Sequence, residues 1–392
     1  MKNSSLFQFF AIVALLMLLW FTYNDILLLG FTPSSGFSLS ALAKLVIIII
    51  SIMALLLSGN KVQTKYTLMW ILWVLWLLVD FFFFGIKGEG ASKIIHVTFC
   101  PMTFVLFFTI GKQSEKVKTI AIVGFVLIFI VSTYLIYNNL SHFAGIVVGK
   151  EMGYTNLVYW CLCPLPVLLL FEKKWGRILA ISVTTLIVIL TGKRSATLAI
   201  TIIILLFFLN VRREKYAFKG YFAIIIAILA MYFIVSKYAE GSFVGILDRM
   251  EALEEDQGNG RLDIYEDVLQ ELGKGDIADW LLGRGFGSIY QTGHTNAHND
   301  ALQMLFEYGV VGFMVYVVML VFIIKRMVLL RKCKSDYYVS YASSVVIALV
   351  LGAVSNLFVY YSYFSFLCVY WGIVEADLMQ SGQVKKFLIK VF

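Results

Sequence analysis

Residues 177–210 read RILAISVTTLIVILTGKRSATLAITIIILLFFLN. Two strongly apolar runs are joined there by the short polar turn Thr191-Gly192-Lys193-Arg194-Ser195. Each run approaches the about 20 residues that a helix needs to cross a bilayer. The pattern recurs along the 392-residue chain, which is 60% hydrophobic, 16% aromatic and 14% charged. A soluble globular protein has roughly a quarter of its residues charged, so one large buried core does not explain this composition. The chain reads as an all-α polytopic membrane protein. Its first run, residues 6–23, follows only Lys2 and lacks a clean small-residue cleavage site. It reads as a retained helix, not a removed targeting segment.

Working outward, twelve candidate transmembrane helices fall at 6–28, 41–58, 66–84, 94–111, 117–137, 155–171, 177–192, 195–210, 219–236, 300–324, 337–355 and 358–378. The last pair needs a tight turn near 352–356, and a single re-entrant element is the alternative. With the N-terminus inside, 21 of the 32 Lys and Arg residues fall on alternating short inner segments. That is the positive-inside pattern, and it places both termini in the cytoplasm. The basic loops then serve as orientation signals and lipid-headgroup contacts, so the net charge of +8 does not point to nucleic acid. The five cysteines show no metal-ligand or redox spacing and read as structural thiols.

One long stretch, 236–298, cannot enter a membrane. It holds twelve of the 24 carboxylates against Lys237, Arg249, Arg261, Lys274 and Arg284. Leu262, Tyr265, Val268, Leu269 and Leu272 recur at helical spacing after the breaker Gly258-Asn259-Gly260, which predicts a helical extracytoplasmic cap loop. The chain divides accordingly into helices 1–9 (1–235), the outer loop (236–298) and helices 10–12 with a cytoplasmic tail (299–392).

The cap ends in His294-Thr295-Asn296-Ala297-His298-Asn299. Asn299, Gln303 and Glu307 follow at four-residue steps and share one helix face, a polar stripe that a membrane helix tolerates only against protein or a wet cavity. An imidazole at its mouth, His298, could accept a proton from a sugar hydroxyl; a capping histidine is the plainer reading. His294 is the weaker candidate, and the spacing of the two histidines offers no further metal ligands. His96 and His142 read as incidental. Lys193 and Arg194 lie against the positive-inside bias. They are either a snorkelling pair or, through the guanidinium fork, a phosphate site. Arg261 and Arg249 could add positive charge or pair with neighbouring acids. The glycine-rich run 283–288 lacks the strand and helix context of a dinucleotide fingerprint. It reads as a loop whose backbone could approach an anionic headgroup. Asp80 reads as interfacial rather than as a proton relay, and the aromatic cluster from Tyr360 to Trp371 as membrane packing or a belt, with a sugar-stacking platform as the alternative.

Taken together the motifs resemble the bacterial O-antigen ligase and O-antigen polymerase (Wzy-type) superfamily. The resemblance rests on Leu190-Thr191-Gly192-Lys193-Arg194-Ser195-Ala196, Gly260-Arg261-Leu262-Asp263-Ile264-Tyr265, and Trp280-Leu281-Leu282-Gly283-Arg284-Gly285-Phe286-Gly287. It continues through Ala297-His298-Asn299-Asp300-Ala301-Leu302-Gln303 and Glu307-Tyr308-Gly309-Val310-Val311-Gly312. It implies a GT-C-like membrane glycosyltransferase acting on the outer face of the inner membrane, with a glycan on undecaprenyl diphosphate as donor and neither cofactor nor metal. Arg194 and Arg261 would bind the diphosphate, and His298 would act as base or orient the acceptor. His294 is a second possible match for the family's histidine; from the residues themselves, Lys193, His294, Arg249, Asn299, Gln303 and Glu307 are the candidates for a supporting role. The family's Ser-Arg-Gly pattern stands here as Lys193-Arg194-Ser195, so the position of the arginine within the motif shifts. The expected acceptor is a lipid-linked glycan repeat for a polymerase, or lipid A-core for a ligase. A chain-length regulator and a flippase are the implied partners. A flippase or other transporter is the reading from another class, and it would carry titratable residues inside several spans.

Overall fold

A computed structural model of the chain describes residues 4–27, 39–59, 65–84, 90–143, 154–211, 261–294, 296–358 and 361–381, and every regular element among them is helical. The helices are α1 (Ser4–Leu27), α2 (Leu39–Ser58), α3 (Lys65–Phe84), α4 (Gly90–Gln113) and α5 (Lys116–Phe143). A 3-10 turn (Tyr154–Val158) precedes α6 (Tyr159–Leu162) and α7 (Leu165–Leu168). Then come α8 (Lys174–Thr191), α9 (Arg194–Val211), α10 (Arg261–Gly273) and α11 (Ile277–Leu282). A second 3-10 turn (Ser288–Thr292) is followed by α12 (Asp300–Lys332), α13 (Tyr338–Val354) and α14 (Tyr361–Gln380). The expected helix at 219–236, together with Arg249 and the 258–260 breaker, lies outside the described residues.

By length and composition α1, α2, α5 to Asn138, α8 and α12 are each apolar enough to cross a membrane, and shorter apolar helices accompany them. The expected span at 155–171 is instead broken into a 3-10 turn and two short helices. Pro164 and Pro166 supply the reason, since each removes a backbone donor and crowds the preceding turn. The region 337–378 forms two separate helices, α13 and α14, not one re-entrant element.

α14 is the innermost helix. Phe366 to Tyr370 are fully buried, and Gly372 lies so close to α4 that a Cβ would sit 2.8 Å from the Phe104 carbonyl oxygen. Small residues at such crossings let membrane helices pack closely. The aromatic cluster accordingly packs inward: Phe366 meets Phe21 and Trp160, and Phe364 meets Phe358 with ring centroids 4.3 Å apart.

The helices α10 and α11 form a small cap on the first turns of α12. Val268, Leu272, Ile289, Ala297 and Phe306 make its buried apolar cluster, while Leu262 and Leu269 point outward. The cap is latched by backbone. At Gly309 (φ 64, ψ −171) α12 leaves helical geometry, and the Phe306 and Glu307 carbonyls accept the Arg284 (3.3 Å) and Gly285 (2.9 Å) N–H groups. A Cβ on Gly283 would lie 2.3 Å from the Glu307 carbonyl oxygen, and one on Gly309 would lie 2.4 Å from the Gly283 nitrogen. Only glycine fits both positions. The 283–288 run therefore brings its backbone close to α12. Asp80, read as interfacial, is buried and accepts the Phe286 N–H. Arg284 completes the latch, donating to the Glu271 carbonyl (2.7 Å), pairing with Asp279 (3.2 Å) and lying over the Phe306 ring.

Candidate functional site

Four chain segments meet at the end of the bundle where α12 begins. Asn299 caps α12, its Oδ1 accepting the Leu302 N–H (3.1 Å) while its Nδ2 donates to the Ala353 carbonyl (3.2 Å). His298 immediately before it has φ 50, a left-handed conformation in which histidine is over-represented among non-glycine residues. Three contacts hold that backbone. The His298 N–H donates to Asn296 Oδ1 (3.2 Å), the Tyr265 hydroxyl donates to the His298 carbonyl (3.4 Å), and the Asn299 cap fixes the next residue. Such a conformation costs of order 1–3 kcal/mol and tends to occur at functional sites.

The charges facing His298 are cations. Arg261 opens α10, one turn before Tyr265 on the same face. Lys193 comes from the α8–α9 turn, which Gly192 closes by donating to the Val188 and Ile189 carbonyls. Burial first, then Arg261, Lys193 and His294, bring the half-buried imidazole down from its ordinary 6.5 to about 4. At neutral pH the ring is uncharged and keeps a lone pair. Among the described residues Arg261 makes no ion pair. Arg194 starts α9 and is half-buried.

Beneath the cations lies Tyr159, which sequence reasoning passed over as one aromatic in an apolar span. Its buried hydroxyl shares hydrogen bonds with Ser195 Oγ (2.6 Å) and Ser355 Oγ (3.0 Å). The Lys193 ammonium stands 5.9 Å from its ring centroid, a cation–π distance. Arg261 is also near enough to act on the phenol electrostatically. One residue thus connects the 193–195 turn, the α10 start and the link between α13 and α14.

That link is held by Asp300, also missed. Its carboxylate is 0% exposed and accepts the Leu357 and Phe358 N–H groups at 3.1 Å. The polar stripe works with it. Gln303 Oε1 accepts the Ala297 N–H (3.2 Å) and Asn356 Nδ2 (3.1 Å), and its Nε2 donates to Glu307 Oε1 (3.0 Å). Gln303 and Glu307 are buried, so the stripe faces protein and anchors the 296–299 turn.

His294 Nε2 donates to Asp267 Oδ2 (2.8 Å) on the exposed side of α10. His96 is not incidental: it accepts from the buried Lys44 (3.3 Å), which also meets Ser362 (3.4 Å) and Asp25 (3.9 Å). These four residues tie α1, α2, α4 and α14 together. A charged residue in an apolar run was the available signal for Lys44, and burial near partners its meaning. Among the described residues no three His, Cys, Asp or Glu side chains are grouped to hold a metal ion.

Two cations drawn from distant segments, beside a neutral imidazole, suit an anionic ligand whose neighbouring hydroxyl must lose a proton. Residues 179–317, the stretch containing Lys193, Arg194, Arg261 and His298, match a family model described as O-Antigen ligase. No curated protein matches the chain. The family match supports the O-antigen ligase and polymerase superfamily and indicates a function of that type.

Proposed function

We propose that the protein is an inner-membrane polysaccharide polymerase with its site on the outer face and both termini in the cytoplasm. It transfers glycan from undecaprenyl diphosphate to a sugar hydroxyl of a lipid-linked repeat unit. The observation that carries this reading is the meeting of Lys193, 5.9 Å from the Tyr159 ring, with the α10 start, whose Tyr265, one turn after Arg261, donates to the His298 carbonyl (3.4 Å). The acceptor oxygen attacks the anomeric carbon, forming the new glycosidic bond as the bond to the diphosphate oxygen breaks. The configuration inverts, the electron pair leaves with the lipid diphosphate, and the acceptor proton goes to His298.

Arg194, Arg261 and Lys193 neutralise the leaving group's charge, for which preorganised cations in a water-poor site are effective. The same anion offsets the field that depresses His298. Donor binding therefore raises the basicity of the imidazole when a base is required. Tyr159 and Asp300 hold the segments that present these groups. The expected chemistry draws on no nucleotide sugar and no metal, and full activity after chelation tests that.

The description of the matched family favours a second reading, a ligase that transfers the finished glycan to lipid A-core. Both readings share the donor and differ in the acceptor. The glycan phenotype of a deletion strain separates them: a single capped repeat unit on the core means polymerase. Long lipid-linked chains with bare core mean ligase. Normal glycan in the deletion strain overturns both. A chain-length regulator and a flippase are the partners this role requires.

A further inference from the structure

The acidic stretch between the apolar runs carries one element of the opposite character. α11 has no buried residue. Ile277, Ala278, Trp280, Leu281 and Leu282 are all exposed, Ile277 at 79% and Leu281 at 49%. Its one charged side chain, Asp279, turns back to Arg284 (3.2 Å). A helix on a water-facing cap has the reverse pattern, with its apolar stripe toward the core and its charges outward. The neighbouring α10 is closer to that pattern, since Val268 and Leu272 are buried while Asp263, Glu266, Asp267 and Gln270 are exposed. The surroundings of α11 give its level. A Cβ on Gly309 would lie 2.5 Å from the Leu281 carbonyl oxygen. From Tyr308 to Ile324 α12 carries no charged residue, and the exposed Lys325 ends that run. Gly309 stands about 24 Å before Lys325 along the helix. The hydrocarbon core of a bilayer is about 30 Å thick, so Leu281 meets α12 at the depth of lipid chains. The exposed apolar band of α12 starts at the same point, with Val310, Val311 and Met314. α3 adds to it. Its Phe82 and Phe83 are exposed beside Asp80, which accepts the Phe286 N–H, and its Trp73 ring meets that of Tyr308 (6.0 Å).

We infer that α11 is a membrane-surface anchor, lying in the lipid–water interface at this end of the bundle with Ile277, Trp280 and Leu281 against lipid. Its apolar face continues the surface that α3 and α12 expose, so a bilayer around those helices reaches α11 as well. Tryptophan is favoured at headgroup level, and a short helix with one apolar face suits the boundary between headgroups and chains. A second protein is the poorer fit, because a helix of six residues offers far less than the roughly 800 Å² per partner of a stable protein interface. The cap is then fixed twice, by the glycine latch to α12 and by α11 to lipid. Arg284 ties α11 to α10 by donating to the Glu271 carbonyl while it pairs with Asp279. The depth of α11 therefore sets the depth of the helix that Arg261 opens. This placement does not depend on which donor or acceptor the protein uses.

The test places one nitroxide label per variant at Ile277→Cys, Leu281→Cys or Gln270→Cys, in a Cys333→Ser background because the other four cysteines are buried. The full-length protein is held in phosphatidylcholine vesicles. Collision rates of each label are measured with oxygen, which concentrates in lipid, and with a water-soluble nickel complex. The ratio of oxygen to nickel access at Ile277→Cys and Leu281→Cys is expected to exceed that at Gln270→Cys by about five-fold or more, as for an interfacial helix beside a water-facing one. Either α11 position decides alone if the other variant does not fold. Ratios on α11 equal to that on α10 place α11 in water and overturn the inference. Protection of the α11 labels from both reagents means that protein covers the face, whether a second copy or another segment of the chain, and overturns it too.

Discussion

The two ends of this helical bundle treat charge in opposite ways. Where α12 ends, two cations are matched by carboxylates. Arg326 donates twice to Glu375, at 2.6 and 2.5 Å, with both residues buried, and Lys118 pairs with Asp377 (3.5 Å), which also accepts the Tyr337 hydroxyl. Where α12 begins, Arg261 and Lys193 act on the His298 imidazole, while the buried Asp300 is committed to backbone N–H groups. A bidentate ion pair is a closed structural unit. In the proposed function the cations beside the imidazole would be completed by an anion. On that proposal the difference separates charge that supports the fold from charge that serves a ligand.

Substitution should break this contrast from either side. The largest effect is expected for His298→Ala and Arg261→Ala. Each should lower glycan transfer by about 10²–10³-fold, the range for removing a general base or a charge-stabilising donor, with expression and membrane insertion unchanged. Wild-type chain lengths in both variants would contradict the assignment. At the other end Arg326→Ala should reduce stability by about 3–5 kcal/mol, because it strands a buried carboxylate. Arg326→Met with Glu375→Leu should recover most of the loss in thermal unfolding. If the double variant is no better than the single, the pair is not the closed unit described.

The pH dependence sharpens the same comparison. His298 is held at about 4 without a bound anion, below its ordinary value, so the unfolded chain binds the extra proton first as pH falls. The stabilising contribution of the neutral ring is thus present above pH 6.5 and lost as pH falls from about 6.5 toward 4. A bound diphosphate should raise this pKa. The acid limb of kcat, which reports the complex, should therefore lie at higher pH than that of kcat/KM, which reports the free enzyme. Coincident limbs would remove the coupling between donor and base. The smallest effect is expected for His294→Ala. Its partly exposed pair with Asp267 is worth roughly 0–1 kcal/mol, and activity should stay within a few-fold of wild type.

Much of this end was legible before the structure. The 191–195 turn stands out for its cations against the positive-inside bias, Arg261 for opening a helix after Gly258-Asn259-Gly260, and His298 for its place at the mouth of the polar stripe. Tyr159, Asp300 and Lys44 did not stand out as members of a network. A tyrosine in an apolar span looks like packing until Ser195 and Ser355 are found against its hydroxyl. Gly283 was legible as part of a glycine-rich loop, whereas Gly309 stood only within a motif on α12. That they need each other's missing side chains depends on a contact between distant parts of the chain.

The amino-acid sequence by itself determined that the chain is helical and suited to a membrane. Hydrophobicity is carried residue by residue, and a run of apolar side chains has few ways to satisfy its backbone in lipid. It also determined which residues are chemically able to act. Only the tertiary structure decided that Lys193, Arg261 and His298 share a site while Arg326 and Glu375 share a bond. Electrostatic energy depends on separation and burial in space, and neither can be read from positions 37 to 105 residues apart along the chain.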